Sequence, residues 1–100
     1  MESTMEIAKE ILNQLGGNKF IAMTGAKNLA SGDKALSFKI MRNSKRITHV
    51  KIYLNSMDTY DVTFYSIRDT KIKNQYTLLG IYGDMLQSTF TKYTGLDTSL

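Results

Sequence analysis

Residues 35–67 decide the fold, and they read ALSFKIMRNSKRITHVKIYLNSMDTYDVTFYSI. Apolar residues alternate with polar ones in three separate runs, over 35–42, 47–54 and 59–67. Alternation with a period of two is typical of strands that bury one face, because neighbouring side chains point to opposite sides of a sheet. The connections contain Asn, Ser and Asp, which favour tight turns. The stretch therefore predicts three consecutive antiparallel strands.

The phase of this alternation predicts which side chains face the core. One face carries the apolar set Leu36, Phe38, Ile40, Val50, Ile52, Leu54, Tyr60, Val62 and Phe64. The other face carries Ser37, Lys39, His49, Lys51, Tyr53, Asp61, Thr63 and Tyr65. We expect the first set to be buried and the second to lie on an open face, since a register slip of one residue would exchange them.

A helix is predicted on each side of this stretch. The first begins at a capping box, Ser3-Thr4-Met5-Glu6, and ends at Gly16-Gly17. Its apolar stripe is formed by Ala8, Ile11, Leu12 and Leu15. The second spans residues 82–94 and ends at Gly95, and its stripe is formed by Tyr82, Leu86, Phe90 and Tyr93.

Three shorter segments complete the prediction. Residues 19–24 are a short apolar run that we interpret as a strand, and 26–33 contain turn residues that favour a loop. Residues 71–79 predict a further strand with Ile72, Tyr76 and Leu78 on one face. The tail, 96–100, is expected to fold back on the domain because Leu96 and Leu100 are apolar.

These elements predict a single domain over 1–100 of the α+β class, a two-layer sandwich. It has an N-terminal helix, a four- or five-stranded antiparallel sheet and a C-terminal helix, with both helices on one face of the sheet. The predicted core consists of Ile11, Leu12, Leu15, Phe38, Ile40, Val50, Ile52, Val62, Phe64, Leu86 and Phe90.

The composition limits the classes of function. The chain has no cysteine, so disulfides and thiolate metal sites are excluded. Its apolar runs are too short to span a bilayer and its first residues are acidic, which predicts a cytosolic protein with no signal peptide and no membrane partner. Residues 19–51 carry a net charge of +7 and the remainder −3, which indicates an anionic partner or, equally well, a solubilising surface.

Two stretches carry a resemblance to known proteins. They are Leu15-Gly16-Gly17-Asn18-Lys19-Phe20-Ile21-Ala22-Met23-Thr24-Gly25-Ala26-Lys27-Asn28 and the segment Asp84 to Leu100. Together they resemble a widespread family of uncharacterised proteins of roughly 100 residues encoded by tailed phages, prophages and plasmids. The resemblance covers essentially the whole chain and implies an origin in a mobile genetic element and a protein of the bacterial host cytosol. Gly83 and Asp97 depart from the residues common in similar chains.

No pattern in the sequence predicts catalysis, a metal or a cofactor. His49 is the only histidine, and one histidine among strand residues is more often a cross-strand residue than a catalytic one. Asp58 and Asp61 flank a turn without the spacing of a calcium loop. Gly25-Ala26-Lys27-Asn28 lacks the spacing of a phosphate loop. We therefore expect a protein that is not an enzyme.

The open sheet face is the most informative functional feature. Lysines and arginines interleaved with tyrosines suit nucleic acid, because cations contact phosphates and rings stack on bases. The predicted nucleic-acid-binding residues are Lys39, Arg42, Lys45, Arg46, Lys51, Tyr53 and Tyr65. Two alternatives stay open. The first is an interaction factor that inhibits a host defence or replication protein. The second is that this face forms a homodimer interface through Met41, Ile47, Tyr53, Tyr65 and Ile67.

Overall fold

The computed structural model describes residues 4–98, apart from a few side chains, and shows the α+β sandwich that the sequence predicts. Helices α1 (Thr4–Leu15) and α2 (Asn18–Thr24) come first. Five strands follow: β1 (Lys27–Gly32), β2 (Ala35–Lys39), β3 (His49–Leu54), β4 (Tyr60–Arg68) and β5 (Lys71–Ile81). A 3-10 turn, Gly83–Met85, leads into helix α3 (Leu86–Thr94).

The five strands form one antiparallel sheet in the order β1-β2-β3-β4-β5, so each strand pairs with its neighbours in sequence. The predicted register is confirmed. Phe38 pairs with Val50, which pairs with Phe64, and all three side chains are buried. Lys51 is exposed on the opposite face.

The core lies between this sheet and the three helices. Every predicted core residue is buried except Leu12, which is partly buried against the core. At its centre Phe20, Phe38 and Phe90 bring one ring each from α2, β2 and α3, with centroids 5.0–6.4 Å apart. Edge-on contacts of this kind add to the burial energy of aromatic rings.

The segment 18–24 is a helix, so the prediction of a strand at 19–24 was wrong. Gly16 and Gly17 both have positive φ angles, and this turn starts a new helix after α1. Phe20 and Thr24, one helical turn apart, are fully buried, and the Thr24 hydroxyl donates to the Phe20 carbonyl. A short apolar run fits either a buried strand or a buried helical turn, and here tertiary packing selects the helix.

The loop predicted at 26–33 was also wrong, because β1 occupies Lys27–Gly32. All six of its residues are exposed, and pairing with β2 holds the strand in place. Its Asn28 has a φ of 55° beside a register shift between Lys27 and Ala30, so one of the predicted turn residues forms a bulge instead. The actual turn is confined to Asp33 and Lys34.

Three side chains depart from the predicted faces. Ile47 is buried rather than on the open face, since strand alternation does not extend through the irregular segment before β3. Ile72 pairs with Ile67 on the open face, because a register shift between Phe64 and Ser66 exchanges the two sides of β5. Tyr82 precedes the 3-10 turn in extended conformation and is 63% exposed, so it does not belong to the stripe of α3.

Both ends of the chain are described only in part. The predicted capping box begins at Ser3, outside the described residues, so it is untested. Leu96 packs against the core and Thr98 is buried, as expected for a tail that folds back, whereas Leu100 lies outside the described residues. Within residues 4–98, no helix has both the length and the apolar character needed to span a membrane.

Candidate nucleic-acid interface

The open face of the sheet carries a row of side chains that crosses four strands. Cross-strand pairing places Lys27 beside Lys39, Lys39 beside His49, and His49 beside Tyr65. Neighbouring strands lie about 4.8 Å apart, so these groups form a continuous line across the sheet. The His49 and Tyr65 rings are stacked, with centroids 5.3 Å apart and planes inclined by 16°.

Lys51 and Tyr53 extend this surface along β3. Both are exposed, and they share the open face with His49 because they follow it at intervals of two residues. Tyr53 lies about 13 Å from His49 along the strand, at roughly 3.3 Å per residue. The two aromatic positions are therefore too far apart to contact the same base, and each would contact a different one.

A carboxylate marks the far end of this face. Asp61 pairs with Tyr53, and its Oδ1 accepts hydrogen bonds from Asn55 Nδ2 at 3.0 Å and from the Gly80 amide at 3.2 Å. Beyond it, Glu10 and Asp58 lie close enough to Tyr60 to add to the effect of burial, which is the main reason that the pKa of Tyr60 is raised. The molecule is thus basic at one end of β3 and acidic at the other.

The basic end contains an open groove of about 590 Å³ between the 41–47 loop and the end of β4. Its charged lining comes from three elements: Lys39 ends β2, Arg42 and Arg46 lie in the loop, and Arg68 ends β4. Among the described residues that line the groove, none is acidic. Four cationic side chains therefore share one concave surface, and the described residues that line it include no carboxylate.

Asn43 fixes the shape of the loop. Its side-chain amide donates to the carbonyls of Met41 at 2.9 Å and Ile47 at 2.6 Å, while its Oδ1 accepts from the Ile47 amide at 3.1 Å. Ser66 adds a hydrogen bond from its hydroxyl to the Arg46 carbonyl. Because Ile47 is buried, these bonds join the loop that carries Arg42 and Arg46 to the core.

His49 connects the groove to the open face. Its Nδ1 lies 2.6 Å from the Thr48 hydroxyl, which also accepts a hydrogen bond from the Ile67 amide. Thr48 lines the groove, and the His49 ring stacks on Tyr65 of the open face. The pKa of His49 is lowered, mainly by burial and in addition by the positive charge of Lys39.

The structure brings together six of the seven predicted site residues. Lys39, Arg42 and Arg46 line the groove, and Lys51, Tyr53 and Tyr65 lie on the adjoining face. Lys45 lies elsewhere: with Tyr76, Lys92 and Tyr93 it lines a recess on the helix side of the sheet, where Tyr93 stacks on Phe64.

Arg68 is a groove residue that the sequence analysis missed. It follows the basic segment by 17 residues, and only the antiparallel pairing of β3 with β4 brings it to the groove. The alternation in the sequence could have indicated this, because antiparallel pairing of the predicted strands 47–54 and 59–67 places the end of the later strand beside the start of the earlier one.

Comparison with known proteins adds no functional information. The chain matches no protein-family model, no curated protein and no solved structure. The resemblance to phage- and plasmid-encoded proteins therefore stays a prediction.

Proposed function

We propose that the protein is a non-enzymatic binding module that contacts nucleic acid through the groove and the open sheet face. The observation that carries the proposal is the convergence of Lys39, Arg42, Arg46 and Arg68 on a groove whose described lining has no acidic residue. Unneutralised cations gathered in one concavity favour a polyanion, because binding releases the counterions condensed on its phosphates.

The adjoining face supports a single strand over a duplex. Tyr53 and Tyr65 are presented on a flat sheet surface rather than on a helix or ribbon that would enter a groove of DNA. Tyr53 is exposed and Tyr65 is partly exposed, and accessible aromatic rings stack on unpaired bases. Lys51 lies on the same face, where it can contact phosphates. In this proposal the protein acts in a bacterial cytosol as part of a mobile element, as the resemblance implies.

The test is filter binding with single- and double-stranded DNA and RNA at 50 and 200 mM salt. We expect single strands to bind, with a log–log salt slope of about −0.7 per phosphate contact. The double variant Arg42→Glu, Arg46→Glu should weaken binding to all sequences and flatten the slope by roughly one to two. Tyr53→Ala should cost about 1–3 kcal/mol with little change in slope.

A matched control distinguishes the effect of the groove on binding from the effect of net charge. Lys9 and Lys92 are exposed on α1 and α3, in the helix layer. Lys9→Glu, Lys92→Glu changes the net charge by the same amount as the arginine double variant. Equal loss of binding in both double variants, or no binding of the wild type to any nucleic acid at low salt, would contradict the proposal.

One observation favours a second function, an interaction factor that inhibits a host protein. At the end of the sheet away from the groove, Met57, Leu79 and Tyr82 line a shallow recess of about 560 Å³ and are 63–80% exposed. Exposed apolar side chains gathered at one place are typical of protein contacts. If this function is correct, the wild type does not bind nucleic acid. The variant Leu79→Asp then abolishes inhibition of the partner protein.

A further inference from the structure

The three arginines of the chain all line the same groove. The sequence contains ten lysines, distributed over both layers, but its only arginines are Arg42, Arg46 and Arg68. They are separated by up to 26 positions along the chain, and the fold brings them together at one end of the sheet. Lys39 also lines the groove, and Lys27 and Lys51 lie on the adjoining open face.

The two kinds of cation recognise phosphate differently. A guanidinium presents a rigid fork of donors that matches two oxygens of one phosphate, whereas an ammonium acts as a compact point charge. Lysines on the flat face therefore suit a backbone that passes over them. Three guanidinium groups around one groove suit a phosphate group whose oxygens are all accessible.

The guanidinium groups of Arg42, Arg46 and Arg68 have no ion pair and no side-chain hydrogen bond to any residue that the structure describes. The backbone of the loop is nevertheless fixed, by Asn43 and by the hydrogen bond from Ser66 to the Arg46 carbonyl. A fixed backbone that carries guanidinium groups without other partners is preorganised to bind an anion.

We infer that the groove takes a terminal phosphate monoester at the end of a nucleic-acid strand. The inference rests on the proposed function and names the part of the strand that the groove binds. An internal phosphodiester carries one negative charge and two free oxygens, whereas a terminal monoester carries close to two charges and three free oxygens near neutral pH. The monoester thus matches the lining of three arginines and Lys39 better than an internal phosphate does.

The groove also lies where a strand would end. It adjoins the row Lys39, His49 and Tyr65, so a terminal phosphate in the groove places the first base over the stacked His49 and Tyr65 rings. The backbone then continues over Lys51 toward Tyr53. The shared chemistry of 5′- and 3′-phosphates is the monoester, and the experiment distinguishes the two ends.

The test compares one single-stranded oligonucleotide in three forms: 5′-phosphorylated, 3′-phosphorylated and without a terminal phosphate. We expect one phosphorylated form to bind the wild type about tenfold more tightly than the form without phosphate, as a few additional charge-assisted hydrogen bonds provide. The end that gives the preference is the end that the groove holds. Equal binding of the three forms would overturn the inference and leave the proposed function intact.

Conservative variants distinguish recognition of the terminal phosphate by guanidinium groups from attraction by positive charge alone. The triple variant Arg42→Lys, Arg46→Lys, Arg68→Lys keeps the net charge, so it should weaken binding of the preferred phosphorylated form more than binding of the form without phosphate, and the tenfold preference should be lost. Lys51→Gln, as a control on the open face, should weaken all three forms by the same factor and keep the preference. A preference that survives the triple substitution would show that charge alone is responsible and would overturn the inference. Absence of binding to all three forms would overturn the proposed function together with it.

Discussion

Phe20 offers the sharpest test of the packing, because its place in the core depends on the helix at Asn18–Thr24. Its side chain has no exposed surface, and its ring meets those of Phe38 at 5.4 Å and Phe90 at 5.0 Å, both in edge-on geometry. We expect Phe20→Ala to lower the free energy of unfolding by about 3–5 kcal/mol, the usual cost of truncating a buried phenylalanine. The loss of two edge-on contacts places the cost in the upper part of that range.

The expected loss is a large part of the whole stability. A domain of this size typically has 5–15 kcal/mol in total, and each 1 kcal/mol lowers the melting temperature by about 4–8 °C. Urea unfolding followed by circular dichroism measures the change directly. Tyr82→Ala is the matched control, since Tyr82 is 63% exposed and its truncation should cost at most about 0.5 kcal/mol. A cost below about 1 kcal/mol for Phe20→Ala would refute the reasoning and place residues 18–24 outside the core.

Two further predictions concern the loop and the histidine. Asn43→Ala should lower the free energy of unfolding by about 1–3 kcal/mol, because it leaves the buried Ile47 backbone groups without their side-chain partner, and Ser56→Ala, at an exposed turn, should be neutral in the same urea titration. The pKa of His49 is lowered in the folded state, so below the ordinary value of 6.5 the unfolded chain binds more protons at this site. The His49 contribution to stability is therefore complete above about pH 6.5 and is lost as the pH falls toward the folded-state pKa. Urea titrations at pH 7.5 and 5.5 should show a smaller loss in His49→Gln than in the wild type, and identical losses would contradict the assignment.

The sequence predicted those parts of the fold that depend on local periodicity. Alternation at Phe38, Val50 and Val62 gave the register because one buried face determines every pairing. The short segment 18–24 lacks enough residues to distinguish helix from strand, and its structure follows from the contacts of Phe20 with distant rings. Ile47 was misplaced because the loop bonds of Asn43, rather than strand parity, determine its direction.

The candidate site was predictable to the same extent. Lys39, Lys51 and Tyr65 follow from parity, and Arg42 and Arg46 from their place in the connection between two strands. Lys45 lies on the helix side because an irregular loop has no alternation to predict side-chain direction. Arg68 was missed because charge was counted along the sequence, whereas the groove is formed across paired strands.

The order of the strands determines how the chain can reach this structure. Every strand pairs with the strand next to it in sequence, and the longest connection, between β2 and β3, spans only residues 40–48, so closing these hairpins loses little chain entropy. Contacts between distant parts of the sequence join the helices to the sheet and to each other, for example where the Gln87 side-chain amide donates to the Leu15 carbonyl, 72 positions away. Folding rates fall as the mean sequence separation of contacts grows, and a sheet in sequential order keeps that separation low. The sheet can therefore form from local hairpins during synthesis, and docking of α3 against α1 completes the core once α3 becomes available.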